Sequence, residues 1–292
     1  MSGKLYVVAT PIGNLSDFSE RAVSVLKEVD LIAAEDTRTT SKLLTHFDIH
    51  TPETANHKFN ERQAVDRLVT DILDGKNIAV VSDAGTPCIN DPGFILVEAA
   101  AKAGIEVVGV PGCCAAATAV SVSGLPSETF LFMGFFPREK KDIEKLFAYI
   151  AGNKAELYIF YESPRRITES MEAIAKAFPE ARIALCNDLT KLHERIYRGT
   201  SPEVLAELKA NPNAEKGEYC FCMYVEAKEK VVDNNPLSLE AMLMDVMIKK
   251  EVSMKEAIAL LATDASVSPT GKIPAAKKEI YQASLNIKNL FE

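Results

Sequence analysis

Apolar runs of strand length alternate with segments of helical periodicity along the first 125 residues. Strand-like runs cover 4–9, 31–34, 77–82 and 106–110, and helix-like patterns cover 19–28, 37–47, 60–73, 92–103 and 115–122. Within 60–73, for example, Ala64, Leu68 and Ile72 recur at helical spacing. This alternation predicts a mostly parallel sheet with helices on both faces, in a domain over 1–125.

The pattern changes after a hinge-like segment at 126–129. Strand-like runs then cover 130–135, 155–161, 182–186, 196–199 and 219–225, with helix-like patterns at 140–150, 164–177 and 202–210. Strands that follow one another without a helix between them favour antiparallel pairing. We therefore expect a second α/β domain with a mixed sheet over 126–228, and the pattern leaves its strand order open.

The last part of the chain reads as a linker followed by helices. Residues 226–236 are charged and rich in Asn and Asp, and helical patterns follow at 239–249, 254–263 and 274–287. Three helices are few for a large core, so we expect this region, 229–292, to pack on the body or on a partner. The fold class is therefore α/β with two domains plus a small C-terminal helical region.

Composition narrows the class of protein. A length of 292 residues with 47% hydrophobic residues suits about two compact domains. The weakly polar stretch at 113–126 is too short to span a membrane, and no leader-like segment begins the chain, so we expect a cytoplasmic protein. The net charge of −8 argues against broad nucleic-acid binding but permits a local basic patch. Six cysteines without a Cys-x-x-Cys pair predict reduced thiols.

Turn-forming and polar residues follow nearly every predicted strand. These segments are "TPIGN" at 10–14, "EDTR" at 35–38, "SDAGTP" at 82–87, "NDPG" at 90–93, "PGCCAA" at 111–116, "YESPRR" at 161–166 and "NDLTKLHER" at 187–195. In open parallel sheets ligands bind at the carboxyl ends of the strands. The joint placement of these segments therefore predicts a ligand cleft.

The segments restrict the kind of ligand. No G-x-G-x-x-G, Walker A or nucleophile motif is present, and no metal-ligand spacing is visible. We expect a metal-free small ligand that is held through backbone groups. Gly85 would let the backbone approach this ligand closely, and the Asp83 carboxylate could accept hydrogen bonds from a ribose or an amine. Asp91 is predicted to be the N-cap of the helix at 92–103, with Pro92 at its first position and Gly104 ending it.

The motifs "TPIGNL", "AEDTR", "SDAGTP", "YESP", "DLTKLHERIYRGT" and "KGEY" occur in this order from about Leu5 to Val225. Together they resemble the tetrapyrrole methylase superfamily, and within it the enzymes that methylate small-subunit ribosomal RNA. The resemblance implies S-adenosylmethionine (SAM) bound between two α/β domains, and a homodimer. It implies methylation of the ribose 2′-oxygen of a cytidine in the decoding region of 16S rRNA, within the assembled small subunit.

The resemblance also implies a set of SAM-binding residues. They are Pro11, Gly13, Ser82, Asp83, Ala84, Gly85, Thr86, Pro87, Ala115, Ala116, Tyr161 and Gly217. The chain departs from the family pattern at "PGCC", where Cys113 and Cys114 replace Pro and Ser. It also departs at Asn187 and Asp188, which replace Arg and Glu, and at "HKFNE", where Phe59 replaces His.

Methyl transfer to a hydroxyl needs a group that takes the proton. Candidates near strand ends are Glu35, Asp36, Asp188, Lys191 and Glu194. Lys191 is a candidate either through a lowered pKa or by polarising the hydroxyl, whereas Asp36 has the alternative role of capping the helix that begins at Thr37.

Basic residues near the motifs are candidates for RNA contacts. They are Arg38, Arg138, Arg165, Arg166 and Arg195, within sets that also include Lys141, Arg198 and Lys249–Lys250. Tyr161, Phe59 and Tyr197 are candidates for stacking on splayed bases.

Two other functions stay open at this point. A methylase of a corrin or porphyrin precursor suits the superfamily and the acidic net charge, although the "TPIGNL" and "AEDTR" forms and the C-terminal helices argue against it. A SAM-binding protein that assembles on the ribosome without catalysis is kept open by "PGCC" and Asn187.

Overall fold

A computed structural model describes residues 2–57, 61–152, 157–226, 237–267 and 275–289. The chain divides into two compact units, Met1–Glu226 and Ala227–Glu292. The predicted helix start at 60, strand start at 155, linker at 227–236 and helix start at 274 lie outside the described residues, as does Phe59.

The first sheet is entirely parallel, which confirms the predicted pairing. Its strands follow the order β3-β2-β4-β1-β5. Their bounds are β1 Lys4–Val8, β2 Leu31–Ala34, β3 Glu53–Ala55, β4 Ile78–Val81 and β5 Glu106–Val110. The helices between and after them are α1 Glu20–Glu28, α2 Thr37–His46, α3 Glu61–Leu73, α4 Phe94–Lys102 and α5 Ala115–Ser123.

Apolar clusters lie on both faces of this sheet. Leu26 and Ile32 belong to one cluster, whereas Leu68, Ile72 and Ile78 belong to the other, and all five are fully buried. Strand β4 is buried along its whole length, which explains why it reads as a continuous apolar run. Strand β3, by contrast, has only three residues, all half-buried, and the sequence pattern did not predict it.

The start of α4 corrects one prediction. The N-cap is Gly93, with φ +123°, and no side chain caps the helix. Cys88 and Asn90 also have positive φ, so the chain makes several left-handed turns before the helix begins. These turns move the helix start past Pro92, and Asp91 is therefore not the N-cap.

The second sheet is mixed, as predicted, and its order is β6-β7-β10-β8-β9. Strands β6 and β7 are parallel, and the other neighbours are antiparallel. The strands are β6 Phe130–Phe135, β7 Leu157–Glu162, β8 Arg182–Asn187, β9 Arg195–Thr200 and β10 Tyr219–Tyr224, with helices α6 Lys140–Gly152, α7 Ile167–Ala177 and α8 Ser201–Ala210.

Helix α5 joins the two sheets. It follows β5 of the first sheet, yet Ala116 and Ala119 pack against Ile159, Ala184 and Cys222 of the second sheet. The short side chains of α5 let it lie close to those strands. The two sheets thus share one unit, and the division at 125 and 126 stays a prediction from the sequence.

The last described helices are α9 Leu239–Lys250, α10 Met254–Thr263 and α11 Lys277–Asn289. They pack on one another around Leu243, Leu261 and Ile280, which are fully buried, so they form a small core of their own. Among the helices described, none is long and apolar enough to cross a membrane.

Candidate active site

The loop after β1 is paired with the loop after β4. The Thr10 N–H donates to the Gly85 carbonyl at 2.9 Å, and the Gly85 N–H donates back to the Thr10 carbonyl at 3.1 Å. The Thr10 hydroxyl also donates to the Ser82 carbonyl at 3.1 Å. Because β1 and β4 are neighbours in the sheet, "TPIGN" and "SDAGTP" form one surface at their carboxyl ends.

Acidic side chains connect the loop after β2 to the same surface. The Asp36 N–H donates to the Asp83 carboxylate at 3.1 Å, and the Asp83 N–H donates to the Glu35 carboxylate at 3.3 Å. Burial raises the pKa of both Glu35 and Asp83, and the hydrogen bonds from the backbone oppose this shift in each case. This edge of the first sheet is therefore rich in carboxylates.

The loop after β5 completes this side of the site. The Thr86 hydroxyl donates to the Cys113 carbonyl at 2.9 Å. Cys114 has the extended backbone of an N-cap for α5, but its thiol makes no capping hydrogen bond. Serine is among the residues preferred at this position, because its hydroxyl accepts a hydrogen bond from the backbone of the first turn. The first turn of α5 thus presents Ala115 to the cleft.

A cavity of about 380 Å³ lies between these loops and the second sheet, and we call it the central cavity. It is lined by Ile12, Ala84, Gly85, Thr86, Ile89, Asn90, Asp91, Cys114, Ala115, Phe135, Tyr161, Glu162, Ser163, Pro164, Cys186, Leu189, Glu218, Tyr219 and Cys220. Most of this wall is apolar, with a few polar groups converging on it. Its size and composition are typical of small-molecule sites.

Antiparallel pairing places the beginning of one strand beside the ends of two others. Tyr219, which begins β10, lies opposite Glu162 at the end of β7 and Asn187 at the end of β8. The Asn187 amide is buried and donates to the Lys216 and Glu218 carbonyls at 3.3 and 3.4 Å. Asn187 therefore supports the turn before β10 from inside the fold, and its side chain is not on the surface.

Gly217 occupies the tightest point of that turn. Its φ is +83°, and a Cβ there would overlap the Asp188 carboxylate. The same carboxylate accepts from the Glu218 N–H at 3.2 Å. Glycine is required here because both the backbone conformation and the close approach exclude a side chain.

Lys191 crosses from the second sheet to the loop after β1. Its Nζ pairs with Asp188 at 3.0 Å and with Glu218 at 2.6 Å. A Cβ on Gly13 would come within 2.5 Å of the Lys191 Cε, so the lysine stem lies directly on that glycine. Burial lowers the pKa of Lys191, but the hydrogen bonds and charges of Glu218 and Asp188 outweigh burial and raise it overall. The prediction that Lys191 has a lowered pKa, which a base would need, is therefore wrong. The Lys191 cation can still polarise a hydroxyl.

A second cavity of about 450 Å³ adjoins the first, and Ile12, Ala84 and Glu218 line both. We call it the adjoining cavity. Its remaining walls are Pro11, Gly13, Leu15, Thr39, Thr40, Lys42, Leu43, His46, Ser82, Asp83 and Lys191.

Most residues predicted to bind SAM lie on one of these cavities. Ala84, Gly85, Thr86, Ala115 and Tyr161 line the central cavity, and Pro11, Gly13, Ser82, Asp83 and Ala84 line the adjoining one. Pro87, Ala116 and Gly217 line neither. Ala116 is still close to the site, because it belongs to the same apolar cluster as Tyr161.

The predicted catalytic acids have different environments. Asp36 caps α2 and binds Arg38 at 2.6 Å, and these hydrogen bonds lower its pKa to about 2. The Glu194 carboxylate accepts from the Thr190 N–H at 2.6 Å and lines neither cavity. Asp36 and Glu194 are thus already engaged in local structure.

The predicted RNA-binding arginines also differ from one another. Arg138 and Arg165 are exposed and form no ion pair with any residue described, whereas Arg38 is exposed but paired with Asp36. Arg166 is held by buried Glu162 at 3.2 Å and by the Pro137 carbonyl at 2.8 Å. Arg195 is exposed and stacks over the Tyr197 ring at 4.6 Å.

Tyr197, one of the residues predicted to stack on RNA bases, lies in the core. Tyr197 is only 1% exposed, and its hydroxyl accepts from Asn211 at 2.7 Å, so it cannot stack on RNA. Tyr161 lines the central cavity, with the Phe135 ring edge-on to it at 5.8 Å. Phe135, at 59% exposed, was missed because it reads as an ordinary apolar strand residue.

Asp91 is the other residue that sequence reasoning misplaced. It lines the central cavity, and burial together with the charges of Glu35 and Asp83 raises its pKa to about 6. The helix-start pattern around Pro92 concealed this placement. Within the ranges described, no group of three or more His, Cys, Asp or Glu side chains is placed to hold a metal ion.

Comparisons with known proteins find a family model and several curated relatives that match most of this chain. The family model described as Tetrapyrrole (Corrin/Porphyrin) Methylases matches residues 4–205. The chain is 43% identical over 283 residues to Ribosomal RNA small subunit methyltransferase I of Halalkalibacterium halodurans, covering 96% of this chain and 93% of that protein. The proteins of the same name from Escherichia coli O157:H7 and Bacillus subtilis are 44% and 39% identical, covering 89% and 96% of this chain and 90% and 94% of theirs.

Solved structures share the fold at lower identity. The methyltransferase CobJ has a TM-score of 0.57 at 19% identity, covering 79% of this chain and 97% of that one. A Thermus thermophilus uroporphyrin-III C-methyltransferase, complexed with S-adenyl homocysteine, has a TM-score of 0.51 at 15% identity, covering 76% and 97%. At these identities the likeness establishes the fold alone.

Proposed function

Because this chain belongs to the tetrapyrrole methylase family, we propose that it is a SAM-dependent methyltransferase of small-subunit ribosomal RNA. The proposed acceptor is the ribose 2′-oxygen of a cytidine in the decoding region of 16S rRNA, within the small subunit. The proposed enzyme acts in the cytoplasm as a homodimer and needs no metal.

One observation carries this proposal. The segments that match the family pattern come from distant parts of the chain, yet residues from most of them line the same two joined cavities. Relatives named as ribosomal RNA methyltransferases match at about 40% identity over most of the chain, whereas the structures named as uroporphyrin-III methyltransferases match below 20%. The macrocycle alternative is therefore not favoured.

The residues present fit SAM. Backbone groups of Ala84–Thr86 and the first turn of α5 provide polar contacts, while Ile12, Leu189 and Tyr161 provide apolar walls for an adenosine. The carboxylate of Glu218, which lines both cavities, suits the positive charge of a sulfonium or an ammonium. When bound, SAM supplies an activated methyl group on sulfur.

The chain's own residues then have to position the acceptor. Lys191, fixed by Asp188 and by Glu218, places a cation on the wall of the adjoining cavity, where it can orient a ribose hydroxyl. Alignment of the reacting atoms can contribute about 7–11 kcal/mol. The loop that carries Lys191 is held rigid by the Glu194 carboxylate on Thr190.

The surface beside the cleft supplies cations for RNA. Arg138 and Arg165 follow β6 and β7, and Arg195 begins β9, so all three flank the edge of the second sheet that forms the cavity. Arginine binds phosphate through two parallel N–H groups, which suits RNA backbone contacts. We therefore assign these three to RNA binding and treat Arg166 as structural.

The test is methyl transfer from labelled SAM to small ribosomal subunits lacking the modification, followed by nucleoside analysis of the digested 16S rRNA. We expect one new 2′-O-methylcytidine, and little labelling of protein-free 16S rRNA or of large subunits used as controls. Light scattering of the purified protein tests the homodimer separately.

Two results would contradict the proposal. Labelling of a porphyrinogen or corrin precursor, with no labelling of the subunits, would support the alternative that the protein methylates a tetrapyrrole precursor. Tight SAM binding, measured by calorimetry, without transfer to any of these acceptors would support a SAM-binding protein that has no chemistry.

A further inference from the structure

We infer that Asp91 is the group that accepts the proton of the ribose hydroxyl during methyl transfer. The inference rests on the proposed function and adds a catalytic residue to it. Asp91 is not among the SAM-binding residues that the resemblance implies. It is also not among the catalytic candidates that lie near strand ends.

The fold presents Asp91 to the central cavity by an unusual backbone path. Cys88, Asn90 and Gly93 have positive φ values of 69°, 67° and 123°, so the loop before α4 turns repeatedly. Asn90 also packs on Gly134, where a Cβ would come within 2.9 Å of the Asn90 Oδ1. Contact with the second sheet thus fixes the loop, and strained backbone of this kind is concentrated at functional sites.

The surroundings of Asp91 suit a proton acceptor. No described residue donates a hydrogen bond to its carboxylate, which lines the cavity beside Thr86, Asn90 and Tyr161. The charged and titratable groups that face it are Glu35 at the end of β2, Asp83 after β4 and Tyr161 on β7. Burial and the two acidic neighbours raise its pKa to about 6, so the carboxylate is ionised at neutral pH yet more basic than an ordinary aspartate.

The other candidates for this role are occupied. Asp36 is the N-cap of α2 and is paired with Arg38, and Glu194 accepts from Thr190. Lys191 is a cation with two carboxylate partners, so it holds its proton. Glu35 accepts from the Asp83 N–H and lines neither cavity. Asp91 is thus the candidate carboxylate that both faces the central cavity and has no donor among the residues described.

The proposed step is balanced without another reactant. The ribose oxygen forms a bond to the methyl carbon, the carbon–sulfur bond breaks with its electron pair left on sulfur, and the hydroxyl proton moves to an Asp91 oxygen. The proton then passes to solvent as the products leave.

The experiment compares the wild type with Asp91→Asn, Asp91→Glu and Asp74→Asn. Asp74 is an exposed acid in the turn after α3 and lines neither cavity, so its variant is the matched control. Turnover on small subunits is measured from pH 5 to pH 9. SAM affinity is measured by calorimetry, and the Asp91 carboxyl is titrated by ¹³C NMR in the protein without SAM.

We expect Asp91→Asn to lose about 10²–10⁴-fold in turnover while keeping its SAM affinity. The wild-type rate should fall tenfold per pH unit below about 6, the pH at which the NMR signal titrates, and the variant should lack this limb. Asp91→Glu should recover part of the activity, and Asp74→Asn should match the wild type.

Three results would overturn the inference. The first is near-normal turnover of Asp91→Asn. The second is a loss of turnover that a loss of SAM affinity fully explains, because Asp91 would then be a binding residue. The third is a variant that keeps the wild-type acid limb. If the wild type itself fails on small subunits although it binds SAM, the proposed function fails and this inference falls with it.

Discussion

The two sheets of the first unit build opposite walls of one cleft by different means. In the parallel sheet every strand ends at the same edge, so the loops after β1, β2, β4 and β5 meet there and bind one another. In the mixed sheet the edge combines the ends of β7 and β8 with the beginning of β10. Polar residues after strand ends therefore predict the first wall, but they do not predict the part of the second wall that comes from the beginning of β10.

The walls also differ in charge. Glu35, Asp83 and Asp91 lie on the side of the parallel sheet, and burial together with the charges of the other two carboxylates raises the pKa of Asp91. Arg138 and Arg165 flank the mixed sheet. A net charge of −8 therefore does not exclude a local basic surface, and under the proposed function this surface would meet the RNA.

The largest effect predicted for SAM binding concerns the beginning of β10. Gly217→Ala forces a Cβ into the Asp188 carboxylate and strains the backbone, which displaces Glu218 from both cavities. We expect SAM to bind about tenfold more weakly or worse in calorimetry. Gly152→Ala, at a helical glycine with open space around it, is the control. Unchanged affinity would mean that the cavity does not depend on this turn.

The next prediction concerns the arginines that flank the mixed sheet. The double variant Arg138→Ala/Arg165→Ala should bind small subunits more weakly, and its log–log salt slope should be less steep by about 1 to 2. SAM affinity should not change. Lys176→Ala, at the far end of α7, should behave as the wild type. An equal salt slope in both variants would remove these arginines from the RNA surface.

The next prediction concerns the cost of burying Asp91 as a charged group, which is measured by the free energy of unfolding. The folded-state pKa of Asp91, about 6, lies above its ordinary value of 3.8, so the wild type loses stability as the pH rises through about 6. After a discount for solvent screening, Asp91→Asn should raise the free energy of unfolding by about 1 kcal/mol at pH 8. The gain should vanish below pH 4. A gain that does not vary with pH would show that repulsion is not its cause.

The smallest effect concerns the helix between the sheets. Cys114→Ser provides α5 with the side-chain cap that it lacks, which should stabilise the protein by about 0.5 kcal/mol or more. Thermal unfolding measures the gain, and Cys113→Ser, which is not at the cap, should show none. A destabilised Cys114→Ser would mean that thiol packing outweighs capping at this position.

Local sequence patterns predict most of the individual strands and helices. Strands Leu31–Ala34 and Glu106–Val110 and helix Met254–Thr263 have the predicted bounds, because a two- or 3.6-residue period and a clear stop depend only on neighbouring residues. The glycine and proline motifs likewise located most of the cleft, since parallel strands end at one edge. Strand β3 escaped prediction because three half-buried residues have too little periodicity to detect.

Which side chains face the cleft depends on contacts between distant parts of the chain. The left-handed turns at Cys88, Asn90 and Gly93 turned Asp91 from a predicted cap into a cavity residue, because backbone strain of this kind is stable only when surrounding contacts support it. Cross-strand register buried Tyr197 and Asn187 and brought Tyr219 to the site. Pairing between distant strands sets these orientations, and no local pattern encodes them.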